Sequence, residues 1–131
     1  MSDLESHLAH IERWNPHVEA LIDWDRFGAI ERAGKVLDGP LCGWSVAVKD
    51  IIDLAGVPTR CNAPFVPAQP AMTNAAIVDE LINQGAFVMA KSATTTFAYA
   101  DPATTRNPWN LRHTPGGSSS GSAAAVACGM V

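Results

Sequence analysis

The chain has 131 residues, 47% of them apolar and 17% charged, and a formal net charge of −4. That length suits a single domain over residues 1–131 with a real core. An acidic balance without a basic stripe excludes nucleic-acid backbone recognition and attraction to an anionic bilayer.

No apolar run reaches membrane-spanning length, and the opening MSDLESHLAHIERW is acidic and amphipathic rather than a secretion signal. The expectation is a cytoplasmic protein with no membrane partner. Cys42, Cys61 and Cys128 are odd in number and lack metal-ligand spacing, so they read as reduced thiols.

Leu4, Leu8, Ile11 and Trp14 recur at helical spacing and predict an amphipathic helix that stops near Asn15-Pro16. A second helix is expected through Val18, Leu21, Ile22 and Phe27 to about Val36, before Asp38-Gly39-Pro40 breaks the chain. The period then changes. Over 43–50, Trp44, Val46 and Val48 share one face of a strand, and Ser45, Ala47 and Lys49 share the other.

Asp53 and Ala55-Gly-Val-Pro58 mark a turn, and 61–70 is irregular. Asn74 is placed to cap a helix carrying Ile77, Val78, Leu81 and Ile82 and ended by Gly85. Residues 86–90 then read as a buried strand, and 91–114 as loop with a turn at Asn107-Pro108. Ser122 is placed to cap a last helix from Ala123 to Cys128, closed by Gly129. Strand, helix, strand in this order predict an α/β fold: a mixed, mostly parallel sheet flanked by helices.

The chemistry concentrates in HTPGGSSSGSAAAVACG, residues 113–129. A flexible linker is disfavoured because the run abuts an alanine-rich helix former. A phosphate cradle fits neither the Walker pattern, since Ser122 stands where lysine is needed, nor the dinucleotide fingerprint, since Thr114-Pro115 precedes the loop. A catalytic loop remains. Gly116, Gly117 and Gly121 would let backbone approach a substrate, Ser118, Ser119, Ser120 and Ser122 supply hydroxyls, and the helix start points amides and a positive dipole end at them.

Serine needs a base. His113 precedes the loop, and His7, His10 and His17 fall on polar parts of the N-terminal helices, where solvated histidines are commoner than metal ligands. Lys49 is the better candidate, because burial at the end of an apolar strand disfavours its charged form. Its alternatives are a lysine reaching solvent, or one paired with Asp50 or Asp53.

Several ordered motifs together resemble the amidase signature family. Residues 39–50 resemble its lysine strand, which Asp53-Leu-Ala-Gly-Val-Pro-Thr59 continues; 85–91 resemble its next strand; and 106–110 with 115–127 resemble the signature itself. The resemblance implies amide hydrolysis through a Ser–cis-Ser–Lys triad without cofactor or metal, on a small-molecule amide. Lys49 matches the family's base and Ser118 its bridging serine.

Cys61-Asn62-Ala63 departs from the small residues ending in Gly-Ser usual there, which implies an altered pocket floor. The family's nucleophile lies in a further segment of the Gly-Thr-Asp-Thr-Gly-Gly-Ser type, downstream of the alanine helix. The resemblance therefore implies a partial amidase-signature fold carrying two of three triad members. Either a loop serine replaces the third, or the chain is an inactive fragment that complements a partner. A parallel sheet cut after a crossover helix leaves an open edge and an uncovered face, so a homo-oligomer is expected.

Overall fold

The computed structural model describes residues 2–99 and 101–131. Among these, the elements run α1 (Ser2–Val18), β1 (Leu21–Ile22), α2 (Arg26–Ala33), β2 (Ser45–Lys49), α3 (Ala76–Asn83), β3 (Phe87–Ser92), a 3₁₀ turn (Thr96–Ala98) and α4 (Ser120–Ala127). The sheet has the order β1-β3-β2. β2 lies parallel to β3, from Ser45 opposite Phe87 to Lys49 opposite Ser92, and β1 lies antiparallel on the other side of β3. The α/β fold expected from the strand–helix–strand order is the fold observed.

The first helix does not stop before its proline. Pro16 sits in the last turn of α1, where a missing N–H forfeits a single bond. The side chain of Asn15 then closes the end, accepting from the amides of Ala20 (2.9 Å) and Leu21 (2.8 Å) and donating to the Leu21 carbonyl. Glu19 turns the chain at φ 53°.

That turn separates Leu21 and Ile22 from the helix expected to contain them and lays them against Ser92 and Lys91 as β1. Tertiary pairing overrides helical period there. α2 starts only after Asp25, which caps it by accepting from the amides of Phe27 and Gly28, and it ends at Ala33, short of Val36.

Two further caps differ from expectation. Asn74 does not cap α3; its side chain accepts from the Ala55 amide at 2.7 Å and donates to Asp79, and Ala75 stands at the cap position. α4 begins at Ser120 rather than after Ser122, with Ser119 at its cap position. β3 extends past Ala90 to take in Lys91 and Ser92, which the sequence pattern assigns to the loop.

The sheet separates two apolar clusters. On one face Leu8, Ile11, Ala29, Phe87, Met89, Ala124 and Ala125 pack between the sheet and α1, α2 and α4. On the other, Val48, Leu54, Val78 and Val88 pack beneath α3. Burying each of the leucine, isoleucine, valine, phenylalanine and methionine side chains contributes about 1.5–3 kcal/mol, and the alanines less. His7 and His10 each donate Nδ1–H to the Gly129 carbonyl, at 2.9 and 3.0 Å, fastening α1 to the residues after α4.

Register between β2 and β3 slips by one residue: Val46 faces Val88, but Ala47 faces Ala90. Met89 is the extra residue of a β-bulge. Arg32 of α2 donates Nε–H to the Val88 carbonyl at 2.6 Å and Nη2–H to the Met89 carbonyl at 3.2 Å, so a guanidinium satisfies the carbonyls at the irregularity. Burial pulls the Arg32 pKa down, with Asp25 and Glu31 opposing.

The slip fixes which way the lysines point. In unbroken register Lys49 would stand opposite Lys91; with it, Lys49 stands opposite Ser92 and Lys91 opposite Val48. Lys91 is 0% exposed and Asp50 1%. The Lys91 ammonium lies 3.3 Å from Asp50 Oδ1 and donates to the Ile52 carbonyl (2.6 Å) and to Thr59 Oγ1 (2.9 Å). The pair thereby anchors the loop that leaves β2.

Three single substitutions and one double variant test this framework. Arg32→Ala leaves two inward carbonyls without their donor and is expected to lower urea-derived stability by about 2 kcal/mol. Arg26→Ala, which removes only exposed bridges to Glu5 and Glu12, should cost under about 1 kcal/mol. Lys91→Met strands the Asp50 carboxylate and is expected to cost about 3–5 kcal/mol, with much of the loss recovered in the Asp50→Asn, Lys91→Met double variant.

Candidate active site

Lys49 closes β2, and its side chain leaves the sheet on the α4 side. Its Nζ lies 2.6 Å from Ser118 Oγ and 2.9 Å from Ser119 Oγ, a separation of 69 and 70 residues in sequence. The lysine is half-buried, Ser118 half-buried and Ser119 exposed. Asp50, offered by the sequence as a partner for Lys49, instead turns to the opposite face and pairs with Lys91. Among the described residues no carboxylate forms an ion pair with Lys49.

Three contacts hold the serine loop against the chain that follows β3. The Thr95 amide donates to the Ser118 carbonyl at 3.1 Å, the Gly121 amide to the Ala93 carbonyl at 2.9 Å, and the hydroxyls of Ser92 and Ser122 share a hydrogen bond at 2.8 Å. The Gly117–Ser118 peptide bond is cis. Gly116 has φ +89°, a conformation that glycine adopts without a Cβ penalty.

Gly121 has no room for a side chain: a methyl there would meet the Ala20 carbonyl oxygen and the Ala93 amide nitrogen. A methyl on Gly117 would come within 2.6 Å of Thr95 Cγ2. These two glycines serve close packing of the loop.

The four candidate serines divide. Ser118 and Ser119 face Lys49. Ser120 is buried and donates to the Gly116 carbonyl at 2.6 Å, which folds the loop on itself. Ser122 is committed to Ser92 and lies beside the groove that also holds Lys49 and Ser119. Ser119 makes no side-chain cap bond to α4; its hydroxyl accepts from Lys49 instead. At the start of α4 the Gly121 amide is already spent on Ala93, which leaves fewer donors there than the sequence suggests.

Ser92, Thr95 and the Asp50–Lys91 pair are not singled out by the sequence, although all support the site. The signal available was the polar run Lys91-Ser-Ala-Thr-Thr-Thr96 directly after an apolar strand. Cys61 and Asn62 both adopt φ 53°. Cys61 accepts from the Phe97 amide through its carbonyl, and Asn62 exchanges hydrogen bonds with Thr96.

Asn62 and Ala63 border a cavity of about 290 Å³ with Asp23, Asp50 and Arg60, whose lining does not include Lys49. Burial pushes the Cys61 thiol pKa up, helped by Asp50 and Asp53 and opposed by Lys91; burial also raises that of Cys128. All three cysteines are free. No described helix is long and apolar enough to cross a membrane.

Known proteins are similar to this chain over nearly its whole length. The family model described as Amidase matches residues 4–131. A glutamyl-tRNA(Gln) amidotransferase subunit of Symbiobacterium thermophilum is 39% identical over 141 residues, covering 95% of this chain and 29% of that protein. Its counterpart from Caldanaerobacter subterraneus is 36% identical over 137 residues, covering 94% and 28%.

Among solved structures, 6-aminohexanoate cyclic dimer hydrolase superposes with TM-score 0.86 at 28% identity, covering 97% of this chain and 28% of that one. The glutamyl-tRNA(Gln) amidotransferase subunit from Thermotoga maritima superposes with TM-score 0.79 at 32% identity, covering 98% and 28%. The chain thus spans under a third of the length of these relatives. With the family model matched from residue 4 to residue 131, this chain belongs to the amidase family.

Proposed function

We propose that the chain carries the proton-relay half of an amide-hydrolysing site, with Lys49 as base and Ser118 as the bridging hydroxyl. The observation that carries this reading is the 2.6 Å approach of Lys49 Nζ to Ser118 Oγ on the face opposite the buried Asp50–Lys91 pair. Relatives named as a cyclic dimer hydrolase and as amidotransferase subunits support a reading of amide chemistry.

In the relay, a nucleophilic hydroxyl passes its proton to Ser118 Oγ as Ser118 passes its own to neutral Lys49 Nζ. The oxygen so freed attacks the amide carbonyl. Collapse of the tetrahedral adduct breaks the C–N bond, and the proton held by Lys49 returns through Ser118 to the departing amine. Water, deprotonated along the same path, then releases the carboxylic acid and restores the hydroxyl.

Within the described chain, Ser119 is the nucleophile best supported, because its exposed hydroxyl is the second one bonded to Lys49. A second reading gives the nucleophile to another polypeptide segment. Among the described residues, the edge of β2 away from β3 has no strand beside it, and it ends at Lys49.

Hydrolysis of a simple aryl amide tests both readings. Lys49→Ala and Ser118→Ala are each expected to reduce kcat/KM by about 10²–10⁴ without change in the melting curve. Ser119→Ala should abolish burst-phase acylation if Ser119 is the nucleophile, whereas activity surviving Ser119→Ala but lost in Lys49→Ala transfers that role to a partner segment. Turnover by Lys49→Ala equal to that of the unsubstituted chain contradicts the relay.

A further inference from the structure

Asp50 is enclosed but not fully satisfied. Its Oδ1 faces the Lys91 ammonium and the Arg60 amide, each at 3.3 Å, and its backbone is taken by Ser92 and Cys61. Its Oδ2 is buried and, among the described residues, has no hydrogen-bond partner. A buried carboxylate oxygen left without a donor is costly, so a donor brought from elsewhere is favoured there.

Asp50 also forms part of the wall of the cavity of about 290 Å³ that Asn62 borders. Asp23 and Arg60 stand exposed on the same cavity. Among the described residues neither forms an ion pair, with the other or with any third group. One wall is built around Asp50 itself. The Cys61 amide donates to the Asp50 carbonyl at 3.0 Å, the Ala63 amide to the Arg60 carbonyl at 2.9 Å, and the Phe97 amide to the Cys61 carbonyl at 2.9 Å. The cavity is thus pre-formed, as small-molecule sites usually are.

The charges select the class of ligand. Positive charge alone would be opposed by Arg60, and negative charge alone by Asp23 and Asp50. A metal ion is a poor match, because no three metal-ligating side chains are grouped among the described residues. The volume is at the lower end for ligand sites, which suits a molecule smaller than a drug. Ile22, Ala63 and Pro64 supply apolar wall for a short carbon chain.

We propose that this cavity binds a small zwitterion, a short amino acid, with its carboxylate on Arg60 and its ammonium held by Asp23 and Asp50 Oδ2. A trapped water would serve Oδ2 but leave the two opposite charges at the cavity unused. The site does not rest on Lys49 and Ser118 being a catalytic pair.

Amide NMR shifts of the full chain, titrated near neutral pH with glycine, β-alanine or 4-aminobutanoate to ~50 mM, test this directly. At least one of the three is expected to shift the amides of Asp23, Arg60, Cys61 and Asn62 saturably, with Kd at or below about 10 mM. Butylamine and butanoate, each with one of the two charges, should bind at least about tenfold more weakly. Arg60→Gln and Asp23→Asn alter exposed side chains, and each should weaken binding about tenfold with the melting curve unchanged. Lys49→Ala should bind as the unsubstituted chain does.

Absence of saturable shifts with all three amino acids overturns the proposal and leaves water as the partner of Oδ2. Equal binding of butylamine or butanoate overturns it as well, as does unchanged affinity in both Arg60→Gln and Asp23→Asn. Loss of binding in Lys49→Ala would move the ligand to the serine loop and away from this cavity. Failure of the hydrolysis assay alone leaves the site standing.

Discussion

One extra residue in β3 governs the arrangement of the molecule's two strand lysines. Met89 shifts the register between β2 and β3, and Arg32 reaches from α2 to bind the carbonyls of Val88 and Met89 at the shift. Because side chains alternate along a strand, a slip of one residue moves everything beyond it to the other face. Lys91 is thereby sent under α3 to meet Asp50, while Lys49 is left on the α4 side facing the serine loop. Two lysines that unbroken register would set side by side have opposite fates: one is a buried anchor, and the other is held by hydroxyls.

The ion pair contributes through geometry more than through net stability. Taking both charges out of water costs several kcal/mol per ion, which their attraction recovers only where further hydrogen bonds complete the site. Lys91 completes its share with the Ile52 carbonyl and Thr59 hydroxyl, and Asp50 Oδ1 also faces the Arg60 amide at 3.3 Å. Those partners belong to the loop after Lys49, so the pair fixes where β2 ends. On the opposite face, the contacts of Ser92, Ala93 and Thr95 with the serine loop fix where Ser118 sits. Both halves of the candidate site are thus referred to the end of β3.

Much of this was legible in the sequence, and the exceptions share a cause. The apolar alternation of 44–48, the buried run before Lys91 and the glycine–serine loop before an alanine helix are local patterns, and each yields the expected element. The lysine–serine pairing came from the order of motifs rather than from local chemistry. What misled was long-range. Leu21 and Ile22 have helical spacing but are drawn into β1 by pairing with residues about seventy positions on. Asn74 has the look of a cap, but its side chain is spent on Ala55. The bulge leaves no mark in composition, and the guanidinium that binds its carbonyls comes from another element. Nor could clustered hydroxyls be sorted before their partners at Gly116, Ser92 and Lys49 were known.

The division of the two lysines can be measured without substrate. Acetylation of the native chain, mapped by mass spectrometry over time, should modify Lys49 while Lys91 stays untouched until denaturant unfolds the chain. Equal rates at the two positions under native conditions would place both ammonium groups in like surroundings and contradict the register on which the site is built.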